Sequence, residues 1–299
     1  MKIQQPAYLV RPDPLNPALT EAVQGVDQDG RPLETRVPVE RPLTLFLNGQ
    51  EIVTMMTIGD YPDYLALGYL ANQRMLLSED VVTGIDYDAE IETIVVRTAR
   101  RTDYEERLKK KTQTSGCAQG TVFGNMMDAV ESVTLDPQAE LKTSWIYSLS
   151  KQINLTPSLY LEAGAIHGCV LCENDRPLIY MEDVGRHNAI DKIAGYMRVH
   201  GVAPAGKIMY TTGRLTSEMV IKTAQMGIPI LISRSGFTAW GVQLARQIGM
   251  TLIGRAKGKR FVALSGAERL RFDADPAAVA DEDKRSQRKS GDDGEAAAE

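Results

Sequence analysis

The spacing of apolar and polar positions divides the chain into segments of different period. Residues 43–47 and 52–56 alternate as two short strands, and Asn48-Gly49 between them is a dipeptide suited to a type I′ hairpin turn. From Asp60 the period lengthens. Leu65, Leu67, Gly68, Tyr69 and Leu70 follow an acidic start and a proline near the first turn, the pattern of an amphipathic helix. Residues 93–98 read as a further strand. Residues 100–120 carry no apolar period, and about twenty such residues inside a compact chain are a functional loop or disorder. Beyond Phe123 the two periods alternate. Helical spacing covers 144–153, 189–199, 217–226 and 238–248, and extended runs cover 165–171, 178–181, 207–211, 228–233 and 251–253. This alternation predicts an α/β domain with a largely parallel sheet and helices on its faces, and ligands on such sheets sit at the carboxyl ends of the strands, where four segments here are polar: 182–188, 212–214, 233–236 and 254–260.

The two ends differ from this body. Residues 1–36 hold five prolines and no sustained period, which predicts an irregular N-terminal arm. Residues 273–299 carry nine acidic and four basic residues and almost no large apolar groups, the composition of a disordered acidic tail. The expected organisation is an arm over 1–36, a smaller α+β region over 37–111, a mobile loop over 112–122, an α/β domain over 123–272 and the tail.

Composition excludes several classes. Of the 299 residues 43% are hydrophobic, enough for a sizeable core, and 34 basic residues face 39 acidic ones. The net charge of -5 resides in the tail, the body being balanced, so nothing favours a nucleic-acid backbone. Three cysteines make no disulfide framework and suit a reducing compartment. The first residues lack the apolar run of a signal peptide, and no stretch nears the roughly 20 apolar residues of a membrane span. The expectation is a cytoplasmic protein with no membrane and no nucleic-acid partner.

Candidate chemistry gathers at five places. Cys117 follows a glycine in the loop, and seven basic residues lie between positions 97 and 111. Nearby positive charge raises the thiolate fraction, the form that attacks sulfur or carbon, although an incidental surface cysteine would read the same way. Cys169 and Cys172 have metal-ligand spacing after His167. On a strand, however, residues three apart point to opposite faces, so core cysteines and no metal site are expected. Glu182 to Asn188 sets two acids, Arg186, His187 and an amide around Gly185, a ligand site or else a helix cap with ion pairs. Arg214 stands before a helix whose first residues include Ser217, placed to cap it, and is suited to an anion there. Arg255, Ala256, Lys257, Gly258, Lys259 and Arg260 form a loop with four cations, suited to a diphosphate but without the Walker pattern of an ATPase.

In order along residues 41–272, the chain resembles the formate dehydrogenase accessory sulfurtransferases, the FdhD/NarQ family. The residues that carry the likeness are Asn48-Gly49, Ala66-Leu67-Gly68-Tyr69-Leu70, Ser115-Gly116-Cys117 and His167. They continue with Glu182-Asp183-Val184-Gly185-Arg186-His187-Asn188-Ala189, Gly213-Arg214, Ser217-Glu218-Met219-Val220 and the basic loop after Gly254. The resemblance implies a sulfur carrier that takes sulfur from a cysteine desulfurase as a persulfide on Cys117. It would pass that sulfur to the bis-molybdopterin guanine dinucleotide cofactor of formate dehydrogenase, bound through Arg255 to Arg260. It also implies a cytidine-deaminase-like layered domain and a homodimer. Many members carry a second loop cysteine where this chain has Gly120. A cofactor-binding chaperone that moves no sulfur, and a hydrolase using Cys117 and His187, are the other classes the residues admit.

Overall fold

The computed structural model describes residues 8–100, 112–113, 120–121 and 133–276. After a 3-10 turn at Pro17–Leu19, strands β1 (Thr20–Val26) and β2 (Pro32–Pro38) pair as an antiparallel hairpin. The arm expected to be irregular is therefore largely strand from Thr20 onward. One face of the hairpin is a polar ladder, in which Arg36 donates to Thr20 Oγ1 (2.8 Å) and Gln24 to Glu34 (2.6 Å). Most of both strands is exposed, so burial imposes no strong apolar contrast on the sequence.

Strands β3 (Arg41–Leu47) and β4 (Gln50–Thr57) form the expected hairpin, with Asn48 at φ 55°. With β5 (Val82–Asp88) and β6 (Thr93–Thr98) they make a four-stranded sheet in the order β4-β3-β6-β5. Helix α1 (Pro62–Asn72) opens on proline at its first turn and is buried nearly all round from Leu65 to Leu70. Both of its sides are used, because it packs on this sheet and also on the long helix of the next domain. Its crossing with that helix is close. A Cβ on Gly68 would strike the Asp191 carbonyl, and one on Gly195 would strike the backbone of Tyr64.

Two short strands, β7 (Thr112–Gln113) and β8 (Gly120–Thr121), pair antiparallel and bring the two ends of the cysteine loop together. Cys117 itself lies outside the described residues, as do 277–299. Strand β9 (Leu141–Lys142) leads into α2 (Thr143–Leu155), followed by α3 (Leu159–Ala163). The start of α2 is capped from far along the chain. The Asp273 carboxylate accepts from Ser144 N–H (2.9 Å), Ser144 Oγ (2.7 Å) and Thr143 Oγ1 (3.0 Å). These bonds, those from Ser144 first, hold its pKa at about 2. Residues 273–276 thus belong to the fold and not to the tail.

The main sheet has six strands: β10 (His167–Glu173), β11 (Arg176–Asp183), β12 (Lys207–Thr211), β13 (Ile230–Ser233), β14 (Thr251–Lys257) and β15 (Arg260–Ser265). Its order is β11-β10-β12-β13-β14-β15, with a short β16 (Leu270–Arg271) pairing β9 elsewhere. Helices α4 (Arg186–His200), α5 (Ser217–Gln225) and α6 (Ala239–Gln247) cover one face and α2 the other. Only the β12-β13 and β13-β14 pairs are parallel, so the sheet is mixed, not largely parallel. A hairpin, β10-β11, adds to one side of the parallel strands and β15 folds back on the other. The arm also docks here: Leu9 N–H donates to Leu178 O (2.8 Å) and Tyr180 N–H to Val10 O (2.9 Å). Among the described residues no helix is long and apolar enough to cross a membrane.

Candidate anion-binding site

Strand directions decide where the candidate residues meet. β11, β12, β13 and β14 run one way and β10 and β15 the other, so four carboxyl ends share an edge with His167 and Arg260. All four polar segments singled out from the sequence reach this edge. They do not do the same work.

The segment after β11 is sealed. Asp183, fully buried, accepts from Lys192 Nζ (2.6 Å), Asn188 Nδ2 (2.9 Å), Thr57 Oγ1 (2.5 Å) and Gly185 N–H (3.1 Å). Lys192 also binds Asp60 and donates to Glu182 O (2.9 Å). Burial opposes its charge, but Asp183 and Asp60 outweigh burial and raise its pKa. Glu182 accepts from the N–H groups of Leu159 (2.8 Å) and Tyr160 (3.3 Å) at the start of α3. Burial raises its carboxyl to about 7, against those two bonds. Next to Lys192 in α4, Asp191 pairs with Lys222 (2.7 Å) and also accepts from Asn72 (2.7 Å). Glu218 accepts from His187 Nδ1 (2.9 Å). Desolvation lowers the His187 pKa despite that carboxylate, and only 4% of the residue is exposed. His187 is therefore enclosed between α4 and α5. These charges lock the N-terminal region, through Thr57, Asp60 and Asn72, onto the α/β domain.

The end of β14 is open. Residues 255–260, expected as a loop, form the tip of the β14-β15 hairpin: Lys257 pairs with Arg260, and the turn is Gly258-Lys259 with Gly258 at φ 57°. Arg255 takes φ 55° at a bulge, its N–H held by Ser235 O (2.7 Å). Arg255, Lys257 and Arg260 are exposed, whereas the Ala256 side chain is buried and serves the site by spacing its neighbours. Arg255, Lys257 and Arg260, with Arg234, Ser235, Gly236, Lys259 and Phe261, line a cleft of about 850 Å³. Five cations in one cleft repel one another and favour a polyanion. Phe261, packed against Tyr147 at 6.3 Å between centroids, supplies an aromatic wall beside them. The residues present fit a nucleoside diphosphate. Sequence reading noted the polar end of β13 but not Arg234 as a lining residue, nor Phe261, because neither belongs to a local motif.

Arg186 opens α4 and is mostly buried; Arg214, after β12, is exposed. Ser217 does not cap α5: the residue before it, Thr216, is the cap, without a side-chain bond. The two described cysteines are free, and they sit on opposite faces of β10, Cys169 in the core under α4 and Cys172 in the core under α2. Burial pushes the Cys169 thiol up to about 12 and raises that of Cys172 as well, so neither is a nucleophile near neutral pH.

Fold and cleft define an α/β protein with a cation-lined edge suited to a phosphorylated ligand. The chain belongs to the FdhD/NarQ family, whose sequence profile matches residues 38–271. It is 28% identical over 244 residues to the sulfur carrier protein FdhD of Bacillus subtilis (strain 168), spanning 80% of this chain and 92% of that one. It is 29% identical over 222 residues to the protein of the same name from Wolinella succinogenes, spanning 74% and 77%. The crystal structure of a putative formate dehydrogenase accessory protein from Desulfotalea psychrophila superposes with a TM-score of 0.68 at 27% identity, covering 84% of this chain and 98% of that one.

Proposed function

We propose that this protein is a cytoplasmic sulfur carrier for formate dehydrogenase. It accepts sulfur from a cysteine desulfurase as a persulfide on Cys117 and delivers it to the bis-molybdopterin guanine dinucleotide cofactor. The observation that carries this reading is the five-cation cleft at the sheet edge, which fits the guanosine diphosphate end of that cofactor. The named relatives support the sulfur chemistry. The order β11-β10-β12-β13-β14, with only β10 reversed, supports the cytidine-deaminase-like layering. We also propose that the protein works as a homodimer.

In the accepting step the Cys117 thiolate attacks the terminal sulfur of the donor persulfide. The donor S–S bond breaks, the donor cysteine leaves as a thiolate, and the new S–S bond is on Cys117, with no net oxidation. The seven basic residues between 97 and 111 favour the attacking thiolate. In delivery an electron pair of the acceptor would take up the outer sulfur, forming the acceptor–sulfur bond as the S–S bond breaks and Cys117 leaves as a thiolate, so one cysteine suffices and Gly120 in place of a second does not block the cycle. The cleft cations hold the phosphates of the acceptor, and the Phe261 wall offers a surface to its base.

Incubation with a cysteine desulfurase and cysteine is expected to add about 32 Da, one sulfur, to Cys117. The addition should reverse with reductant and vanish in Cys117→Ala. Full activation of formate dehydrogenase by Cys117→Ala in cells lacking their own accessory protein would refute sulfur transfer and leave a cofactor chaperone.

A further inference from the structure

The cleft is not the end of the positive surface at this edge. His167, the first residue of β10, is the register partner of Asp183, and its neighbour Gly168 is tied to the end of β12. Gly168 N–H donates to Thr212 Oγ1 (2.9 Å) and Thr212 N–H donates to Gly168 O (2.9 Å). Alternation along β10 places His167 on the face of Cys169 and Leu171, where α4 packs. Arg186 begins α4, and its stem lies on Gly213: a Cβ there would come within 2.9 Å of Arg186 Cβ and Cδ. Ser233 Oγ donates to Gly213 O (2.6 Å), which fixes the end of β13, and hence Arg234, to the same corner. Arg214 follows Gly213, exposed and without an ion pair among the described residues.

Half-buried His167 therefore stands among three permanent cations from three elements, Arg186, Arg214 and Arg234. Burial first, and these guanidinium groups next, keep its imidazole neutral, with Asp183 the opposing charge. That carboxylate is already engaged by Lys192, Asn188 and Thr57, so it does little to offset the corner. Arg234 is steadied by the Tyr160 ring, 4.4 Å from its guanidinium, and an anion held at exposed Arg214 would offset the positive charge facing His167 and let His167 donate to it.

We infer that His167, Arg186 and Arg214 form a second anion subsite, for a phosphate or diphosphate group, separate from the basic cleft and joined to it by Arg234. Arg234 belongs to both places, since it lines the cleft and acts on His167. A ligand with two phosphate-bearing ends can then occupy both subsites of one chain. This rests on the proposed function only for the identity of the ligand in the cleft. Because the bound anion offsets the guanidinium charge, His167 takes up a proton on binding, and affinity at this subsite rises as pH falls toward 6.5 and below.

The test is calorimetric titration of the full chain with inorganic pyrophosphate at low salt, with guanosine diphosphate in a parallel arm. Two pyrophosphates are expected per chain, one lost in Arg260→Ala and the other in Arg214→Ala, whose exposed side chain leaves folding intact. Binding at the second subsite should tighten on the order of threefold from pH 7.5 to 6, and this dependence should be absent in His167→Gln. The imidazole resonances of His167 should shift toward the protonated form when pyrophosphate is added. One pyrophosphate per chain, bound equally by wild type and Arg214→Ala, would overturn the inference while leaving the cleft intact. Failure of guanosine diphosphate alone, with the Arg214-dependent pyrophosphate still bound, would overturn the cleft reading and keep the second subsite.

Discussion

The segment after β11 and the tip of the β14-β15 hairpin begin alike, each a dense group of charges directly behind an apolar strand. Their fates are opposite. Behind β11, Asp183 meets Lys192, and Asp191, the neighbour of Lys192 in α4, meets Lys222, while Thr57, Asp60 and Asn72 arrive from the N-terminal region to complete the pairing. Opposite charges are present in the right numbers, so they can be buried together. At the hairpin tip the cations are of one sign, and Arg255, Lys257 and Arg260 remain at the surface around the cleft. The difference teaches that charge density does not distinguish a junction from a binding site. Charge balance and the presence of a covering element do. A buried ion pair contributes little over a well-packed apolar pair, but breaking one leaves a charge stranded, which makes the junction specific.

This contrast is best broken at Lys192. Lys192→Met leaves Asp183 and Asp60 without their cation, and the expected loss is about 3–5 kcal/mol in the free energy of denaturant unfolding. A loss below about 1 kcal/mol would show that the junction does not depend on the pair. Next comes Glu182. Its folded pKa of about 7 lies above the ordinary value of 4.5, so between those pH values the native state holds a proton that the unfolded chain has lost. Stability from this group therefore falls as pH rises through that window and is level above it, by up to about 3 kcal/mol. Comparing wild type with Glu182→Gln at pH 5 and pH 8 cancels the other titrating groups, His187 included. A difference that does not change with pH would mean that the Glu182 carboxyl is ionised throughout. The smallest effect belongs to the open side. Arg260→Ala should leave the melting temperature unchanged and weaken guanosine diphosphate by about tenfold, with a shallower dependence on salt. A large loss of stability there would erase the distinction between the two regions.

Much of the fold was legible because burial writes a period into the sequence. The run from α4 to β14 has one face of each element in the core, and its segments were found within a few residues of their ends. The opposite orientation of Cys169 and Cys172 also followed from the period of a strand alone. The hairpin β1-β2 was missed in the proline-rich arm because it buries little of either face. The cap on α2 was missed because its carboxylate comes from Asp273, about 130 positions away.

The candidate site divides the same way. The four cations between Arg255 and Arg260 could be found locally, since a strand followed by clustered charge is a local pattern. The fate of His187 could not, because its enclosure depends on Glu218, α1 and the packing of the N-terminal region against α4. Sequence by itself determined the class of fold, the strand ends on which polar residues fall and the membership of the charged groups. Tertiary structure alone decided strand direction, which gathers His167, Arg186, Arg214 and Arg234 at one edge, and which of those charges are neutralised. The physical reason is range: periodicity records whether a residue faces the core. Its electrostatic partners, such as Asp60 for Lys192 at a separation of 132 residues, are fixed only when distant segments meet.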